Sequence, residues 1–469
     1  MSATAKPGGG GTRSKKSKTK RPSPLPPRPY HFPRFERRRL SNDVQLVVAP
    51  VRKLPIATVM ALIDAGAVCD DRDREGIASL TTDLLLEGTL TSDGVELTDR
   101  FERLGATVLT STDWDGAAVT LTAMREHLGP AIALLGEVLR SPAFPEREVE
   151  RLKGERLAEL LQLRAEPRGL ADEMFERFLY EPASRYSRPE GGTEESVQAI
   201  TRADVQHFYD TRYRPASITL IIAGDIEPDD AERMAYTAFD DWRGAAASTV
   251  PASYKAARRA RALHIVAKPD AQQSELRLGS VFLPRKHPDY HAALVMNAVL
   301  GGLFSSRINL NLREKHGYTY GAFSHLDWRR QSGPFVVSTA VQSEVTAPAA
   351  REAIAEIERM RVEPITADEL SLATSYLGGV FPIRYETTDA IAGALATLVR
   401  YELPDDFYDT YRDHVRAVTT DDVLRVAAQH LDANAMQMVV VGELESVQTP
   451  LEQLGFGPTT VYDTEGEVL

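Results

Sequence analysis

The sequence predicts an α+β fold in which two similar domains follow one another along 469 residues. The first observation behind this is an internal repeat, the feature to look for before any element is assigned. The segment Ala199-Ile200-Thr201-Arg202-Ala203-Asp204-Val205 reads against Ala417-Val418-Thr419-Thr420-Asp421-Asp422-Val423, an offset of 218. Without a gap, Leu220-Ile221-Ile222-Ala223-Gly224 then falls on Met438-Val439-Val440-Val441-Gly442. In both copies Thr stands three residues before Asp, an N-cap arrangement opening a helix, and a β-rich apolar strand later stops at Gly. The second observation is that strand-like and helix-like patterns come in mixed order, without the strict alternation of a doubly wound parallel sheet.

From the N-terminus, residues 1–39 read as a disordered basic tail. Residues 1–40 hold twelve Lys or Arg against the single acid Glu36, together with seven of the 28 prolines and Gly8–Gly11. Such a segment buries too little apolar surface to offset its ordering entropy. The net charge of -12 conceals this asymmetry, because the remainder carries 43 basic against 66 acidic residues. The tail reads as a solubilising extension that can fold back on the acidic body, rather than as an arm for nucleic acid or anionic lipid. No apolar h-region precedes Leu40, and Gly and Pro break the amphipathic pattern of a transit peptide, so the expected location is cytoplasmic.

The first domain runs over 40–243. Val44–Val48 and Ile56–Ile63 read as strands; Gly76–Leu86, Thr98–Leu104, His127–Leu139 and Glu146–Leu163 have helical periodicity. A linker at 244–261 joins the Gly/Ala/Ser/Pro stretch Gly244–Ser253 to the basic run Lys255–Arg261. In the second domain, 262–445, Ser274–Leu283 and Phe335–Ala340 read as strands, and His291–Leu300, Ala347–Arg359 and Asp405–Ala417 as helices. Residues 446–469 read as a polar tail.

Composition removes several classes of function. No apolar run approaches the roughly 18 residues of a membrane span. The single cysteine, Cys69, excludes an intramolecular disulfide framework and any multi-cysteine metal site, and reads as a small buried apolar residue. No P-loop, strand–GxGxxG–helix or Gly-x-Ser-x-Gly elbow is present. Of ten histidines only His287 and His291 stand four apart, at a helix entry around Pro288-Asp289-Tyr290, where no ligand role is expected.

Two stretches carry a family likeness. Asp64-Ala65-Gly66, followed by Gly76-Ile77-Ala78-Ser79-Leu80-Thr81-Thr82-Asp83-Leu84-Leu85-Leu86-Glu87-Gly88-Thr89, resembles the metal-site helix of the pitrilysin/insulysin zinc peptidases. That group includes mitochondrial processing peptidase. Leu300-Gly301-Gly302, Phe304-Ser305-Ser306-Arg307 and Leu312-Arg313-Glu314-Lys315-His316-Gly317-Tyr318-Thr319-Tyr320 are similar to its C-terminal signature. The resemblance spans roughly residues 40–445, and it implies two α/β-sandwich domains, each a mixed, largely antiparallel sheet with helices on one side. Such enzymes are inverted zincins, in which H-x-x-E-H on a helix binds zinc through two histidines and uses the Glu as general base. Here Ser79 and Asp83 stand at the histidine positions and Thr82 at the base, while the third-ligand position keeps Glu159. An acid common in the family seven residues earlier is Leu152 here. Asp83 and Glu159 alone offer at most a weak oxygen site for a hard cation, so no metal or other cofactor is expected on this chain.

The Arg313/Tyr320 pair survives at the spacing of family positions that reach across to the zinc centre. An Arg fork can hold a peptide carbonyl or carboxylate, and a Tyr hydroxyl can donate to a developing oxyanion. The resemblance therefore implies a subunit of a heteromeric zinc peptidase with no activity of its own. It would supply Arg313 and Tyr320 to a homologous partner carrying zinc and an intact H-x-x-E-H, on an extended peptide bound by strand addition. Two readings stand beside it: a structural core-type subunit with no catalytic role, and a solitary hydrolase using Asp83 and Glu159 with another metal.

Overall fold

The computed structural model describes residues 29–244 and 260–469, and the readings made for residues 1–28 and 245–259 lie outside them. Two six-stranded mixed sheets organise the described chain, each serving one copy of the repeat. The first contains β1 (Glu36–Arg39), β2 (Gln45–Pro50), β3 (Ile56–Ile63), β4 (Thr107–Thr112), β5 (Ala117–Met124) and β6 (Ile218–Gly224), in the order β1-β2-β6-β3-β5-β4. Only β2 and β6 run parallel. The second contains β7 (Ala262–Ala267), β8 (Gln273–Val281), β9 (Ala322–Leu326), β10 (Pro334–Gln342), β11 (Gln437–Gly442) and β12 (Thr459–Tyr462), in the order β12-β7-β11-β8-β10-β9. From the second position inward the two orders are the same topology written twice.

The repeat seen in the sequence occupies equivalent places. Its strands are β6 and β11, each third in its sheet and buried at every position, which explains their continuous apolar runs. Gly224, with φ of 150°, ends β6 because a Cβ there would come within 2.4 Å of the Ile56 carbonyl oxygen. Both Thr-x-x-Asp signals form reciprocal capping boxes. Thr201 N–H donates to Asp204 at 2.8 Å and Thr419 N–H to Asp422 at 3.0 Å, opening the helices Arg202–Arg212 and Thr420–His430.

The period-two pattern of β3 shows how the halves interlock. Ala57, Val59, Ala61 and Ile63 face the core made with the first half's own helices, among them Ile77–Leu84, Leu128–Arg140 and Pro228–Phe239. Thr58, on the other face, meets Thr388 at 2.8 Å through their hydroxyls. That residue opens the helix Thr388–Arg400 of the second half, which lies across β3 and β6. In return, the first-half helix Pro167–Leu179 lays Leu170, Ala171, Met174 and Phe178 on Val266, Val336, Val439 and Val441 of the second sheet. Helices of the same half thus cover one side of the first sheet, as expected, and the helix Thr388–Arg400 of the other half lies on its opposite side. His31–Leu469 accordingly forms one unit.

Two terminal readings need correction. The polar tail 446–469 contains most of the helix Leu444–Glu452 and all of β12, which pairs in parallel with β7 and completes the second sheet. At the other end, residues 36–39 of the basic tail form β1, antiparallel to β2. Besides this backbone ladder, its arginines pair with acids far along the chain. Arg37 meets Asp405 at 2.8 Å, and Arg38 meets Glu232 at 2.6 Å and Asp229 at 2.8 Å. The stretch 290–315 is apolar and long enough in composition to suit a membrane span. Its helix breaks at Leu303, which is extended at φ -113° and ψ 155°, and most of it is buried inside the protein.

Candidate functional site

The degenerate metal-site motif lies on the helix Ile77–Leu84. Gly76 precedes it at φ of 95°, and the buried Asp70 carboxylate accepts the backbone N–H of Gly76 at 2.8 Å and of Ala78 at 3.1 Å. Arg185 pairs with Asp70 at 2.8 Å, yet burial pushes the Asp70 carboxyl up to about 6. At the base position, Thr82 is buried and its hydroxyl is committed three ways. It donates to the Ala78 carbonyl at 2.7 Å, lies 2.9 Å from the Tyr213 hydroxyl, and accepts from Thr112 at 3.0 Å. A hydroxyl so engaged, with an unperturbed pKa far above neutrality, does not act as a general base.

Asp83 accepts a hydrogen bond from Thr110 at 2.7 Å. Burial raises its carboxyl above the usual range; the Thr110 hydroxyl opposes this, the charge of Glu159 adds to it, and Arg156 opposes. The two carboxylates that the sequence singled out therefore sense one another. The positive charge beside them is Arg156, which binds Glu159 at 3.1 Å and the Gly191 carbonyl at 3.0 Å. Ser79 is half-buried, and Leu152 packs partly buried against the first-half core. Zinc does not fit this set: no nitrogen or sulfur donor remains, and the carboxylates are engaged by a guanidinium and a threonine.

Arg313 lies at the end of a helical stretch of the second half, and Tyr320 in the loop that follows it. The helix Tyr290–Asn297 continues through a wide π-type turn at Ala298–Gly302, and a second such turn covers Leu310–Lys315. These insertions recur at functional sites. Gly301 is required for the close approach to β9, because a Cβ there would lie 2.4 Å from Ser324 Oγ. Arg307, from the Ser-Ser-Arg signature, is a buried anchor: it forks onto Glu369 at 2.6 and 2.9 Å. Asn309, also buried, accepts the Ala322 N–H at 3.0 Å and donates to the Phe304 carbonyl at 2.6 Å. Thr319 donates to the carbonyls of Ala340 at 2.7 Å and Gly321 at 2.9 Å, tying the loop to β10.

With its neighbours pinned, Tyr320 projects its ring into solvent, 94% exposed. Arg313 lies over the Phe304 ring at 4.5 Å and approaches Glu314 at 3.5 Å, leaving its fork partly accessible. Tyr318 instead stacks on His316, centroids 4.9 Å apart. No hydrogen bond or ion pair among the described residues joins Asp83 or Glu159 to Arg313 or Tyr320. The anchors Arg307, Asn309 and Thr319 are contributions that the sequence did not single out, although Arg307 and Thr319 lay inside quoted motifs.

Outside these motifs, His287, Asp289 and His430 bring three ligand-type atoms within 4.8 Å. Arg425 already forks onto Asp289 at 2.7 and 3.1 Å, and His430 lies 2.9 Å from it. The guanidinium and the histidine hold the Asp289 carboxyl down to about 2, so the cluster is an ion-pair network. His291 turns away from His287 to stack on Phe407, and burial lowers its imidazole to about 4.

Comparison with known proteins agrees with this geometry. Residues 47–191 match the family description "Insulinase (Peptidase family M16)" and residues 199–377 match "Peptidase M16 inactive domain". The chain belongs to this peptidase family, and it is a member whose metal-binding motif is degenerate. Its relatives include "Non-peptidase homolog YmxG" of Helicobacter pylori, 23% identical over 83% of this chain and 89% of that protein. An uncharacterized zinc protease of Mycobacterium bovis is 25% identical over 92% of this chain and 98% of its own length. Among solved structures, a peptidase M16 inactive domain from Pseudomonas fluorescens superimposes with a TM-score of 0.81 at 25% identity, covering 87% of this chain and 98% of that one. A protease from Helicobacter pylori has the same fold, with a TM-score of 0.82 at 20% identity over 88% of this chain and 100% of its own.

Proposed function

We propose that this chain is the subunit without a metal centre in a two-chain zinc peptidase, and that it works by presenting Arg313 and Tyr320 to a homologous partner. The observation that carries the reading is an asymmetry between its two motifs. The metal-site helix has exchanged its donors for a closed network of hydroxyls around Thr82. The Arg313–Tyr320 loop is held from below by Arg307, Asn309 and Thr319 while its tyrosine stays uncovered. A rigid loop that displays a phenol and a guanidinium is built to act on something outside the chain.

In this division of labour the partner supplies zinc and the general base. Arg313 orients the substrate carbonyl or a nearby carboxylate, and the Tyr320 hydroxyl donates to the oxyanion as it develops. The extended peptide adds to a sheet edge, for which the terminal strands β1, β4, β9 and β12 are the candidates. The rival reading, a chain with no catalytic role, draws on the name "Non-peptidase homolog" that one relative carries.

Metal analysis and peptide hydrolysis, run on the chain alone and mixed with a homologue carrying H-x-x-E-H, test the proposal. The chain alone should hold no stoichiometric zinc and cleave nothing, whereas the mixture should hold zinc and cleave peptide. A tightly bound zinc on the chain alone, with chelator-sensitive hydrolysis, overturns the reading.

A further inference from the structure

The helices Tyr290–Asn297, Ala367–Arg384 and Phe407–Ala417 enclose a cavity of about 380 Å³ that the peptidase reading does not use. Its volume lies within the range of small-molecule sites. The walls are aromatic, with Tyr290, Phe381, Tyr385, Phe407, Tyr408 and Tyr411 among them. Phe32 stacks on Tyr408 at 4.8 Å and meets Tyr385 edge-on at 5.6 Å, fixing two of those rings from outside. Two cations, Arg285 and Arg384, line the cavity, and no lining residue is acidic.

Arg285 is the informative residue. It is 5% exposed, yet its guanidinium has no hydrogen bond or ion pair among the described residues. It rests instead on ring faces, 3.8 Å from the centroid of Tyr290 and 4.8 Å from that of Phe407. Four other buried arginines have a carboxylate: Arg277 has Asp172 and Glu275, Arg329 has Glu176 and Asp327, Arg307 has Glu369, and Arg185 has Asp70. A guanidinium taken out of water without such a partner is costly. Burial raises the phenols of Tyr290 and Tyr411, and the charges of Arg285 and Arg384 oppose it. The cavity is thus an aromatic box with uncompensated positive charge in its wall.

We propose that this cavity binds a small carboxylate with an aromatic body, the rings enclosing the body and Arg285 with Arg384 receiving the charge. Arg suits this because its planar fork both stacks on rings and pairs with carboxylate oxygens. A free aryl acid and the C-terminus of a peptide ending in an aromatic residue share that chemistry.

Isothermal titration of the full chain with 3-phenylpropionate, and with its uncharged isostere 3-phenylpropanamide, tests the assignment. The acid should bind saturably and the amide about 10-fold more weakly or worse, the usual margin for charge-assisted hydrogen bonds. Arg384→Gln, at an exposed position, should weaken the acid about 10-fold and leave the amide unchanged. Arg285→Met should do the same, and if that variant fails to fold, Arg384→Gln carries the test. Gly-Gly-Phe binding more tightly than 3-phenylpropionate identifies a peptide C-terminus as the ligand, and weaker binding identifies a free acid. No saturable binding of either probe, equal affinity for acid and amide, or indifference to Arg384→Gln overturns the proposal.

Discussion

Replacing Glu369 with Gln tests how the loop that carries Arg313 is held. Arg307 and Glu369 form a two-pronged pair at 2.6 and 2.9 Å, with side chains 6% and 29% exposed. Glu369 also closes the capping box of the helix Ala367–Arg384, accepting the Thr366 N–H at 2.8 Å. The Arg307 fork, followed by burial in opposition, brings the Glu369 carboxyl down from 4.5 to about 2. That gap corresponds to about 3 kcal/mol, and solvent screening of the partly exposed carboxylate reduces it to about 2 kcal/mol. Breaking a buried pair from one side typically costs a similar 3–5 kcal/mol, roughly, because the remaining charge is stranded. Glu369→Gln should therefore lower unfolding free energy by about 2–3 kcal/mol at pH 7, read by urea denaturation. The sign of the pH dependence follows from a folded-state pKa below the unfolded one. The pair's contribution is complete above about 4.5 and is lost as pH falls towards about 2. The variant's deficit should accordingly shrink towards zero on acidification through that window. A variant as stable as the parent at pH 7, or a deficit that stays constant down to pH 3, refutes the reasoning.

Thr201→Ala and Thr419→Ala remove equivalent caps from the two copies of the repeat, and each should cost about 1 kcal/mol by denaturant titration. Burial pushes the Cys69 thiol up to about 11, so at pH 8 iodoacetamide should label it about 100-fold more slowly in the folded chain than in urea. In a reconstituted complex, Arg313→Ala should impair both KM and kcat, because its fork holds substrate in the ground state as well as in the transition state.

The repeat was legible because its signals are local. A Thr-x-x-Asp box and an apolar strand ending at Gly are short patterns, and both appear in the structure where the offset places them. The interlocking of the halves was not legible. The period of Pro167–Leu179 or Thr388–Arg400 says that a helix has an apolar face, but nothing about which sheet that face covers. Strand β1 was hidden by its charges: its four residues, three of them arginine, pair with β2 and meet acids such as Glu232 and Asp405 that are distant in sequence. Strand β12 is four residues long, too short for alternation to show. At the site, the loss of metal donors could be read directly from Ser79, Thr82 and Asp83. The hydroxyl network that replaced them could not, because Tyr213 lies 131 residues from Thr82 in the chain.

The most direct test of the central claim is the turnover of a complex reconstituted from this chain and a homologue bearing H-x-x-E-H, with Tyr320→Phe set against Tyr318→Phe. Both substitutions remove one hydroxyl; Tyr320 is exposed, whereas Tyr318 is stacked on His316. If the Tyr320 hydroxyl donates to the oxyanion, its loss should lower kcat about 10²-fold with little change in KM, and Tyr318→Phe should be nearly silent. Full turnover in the Tyr320→Phe complex would contradict the account and leave this chain a scaffold.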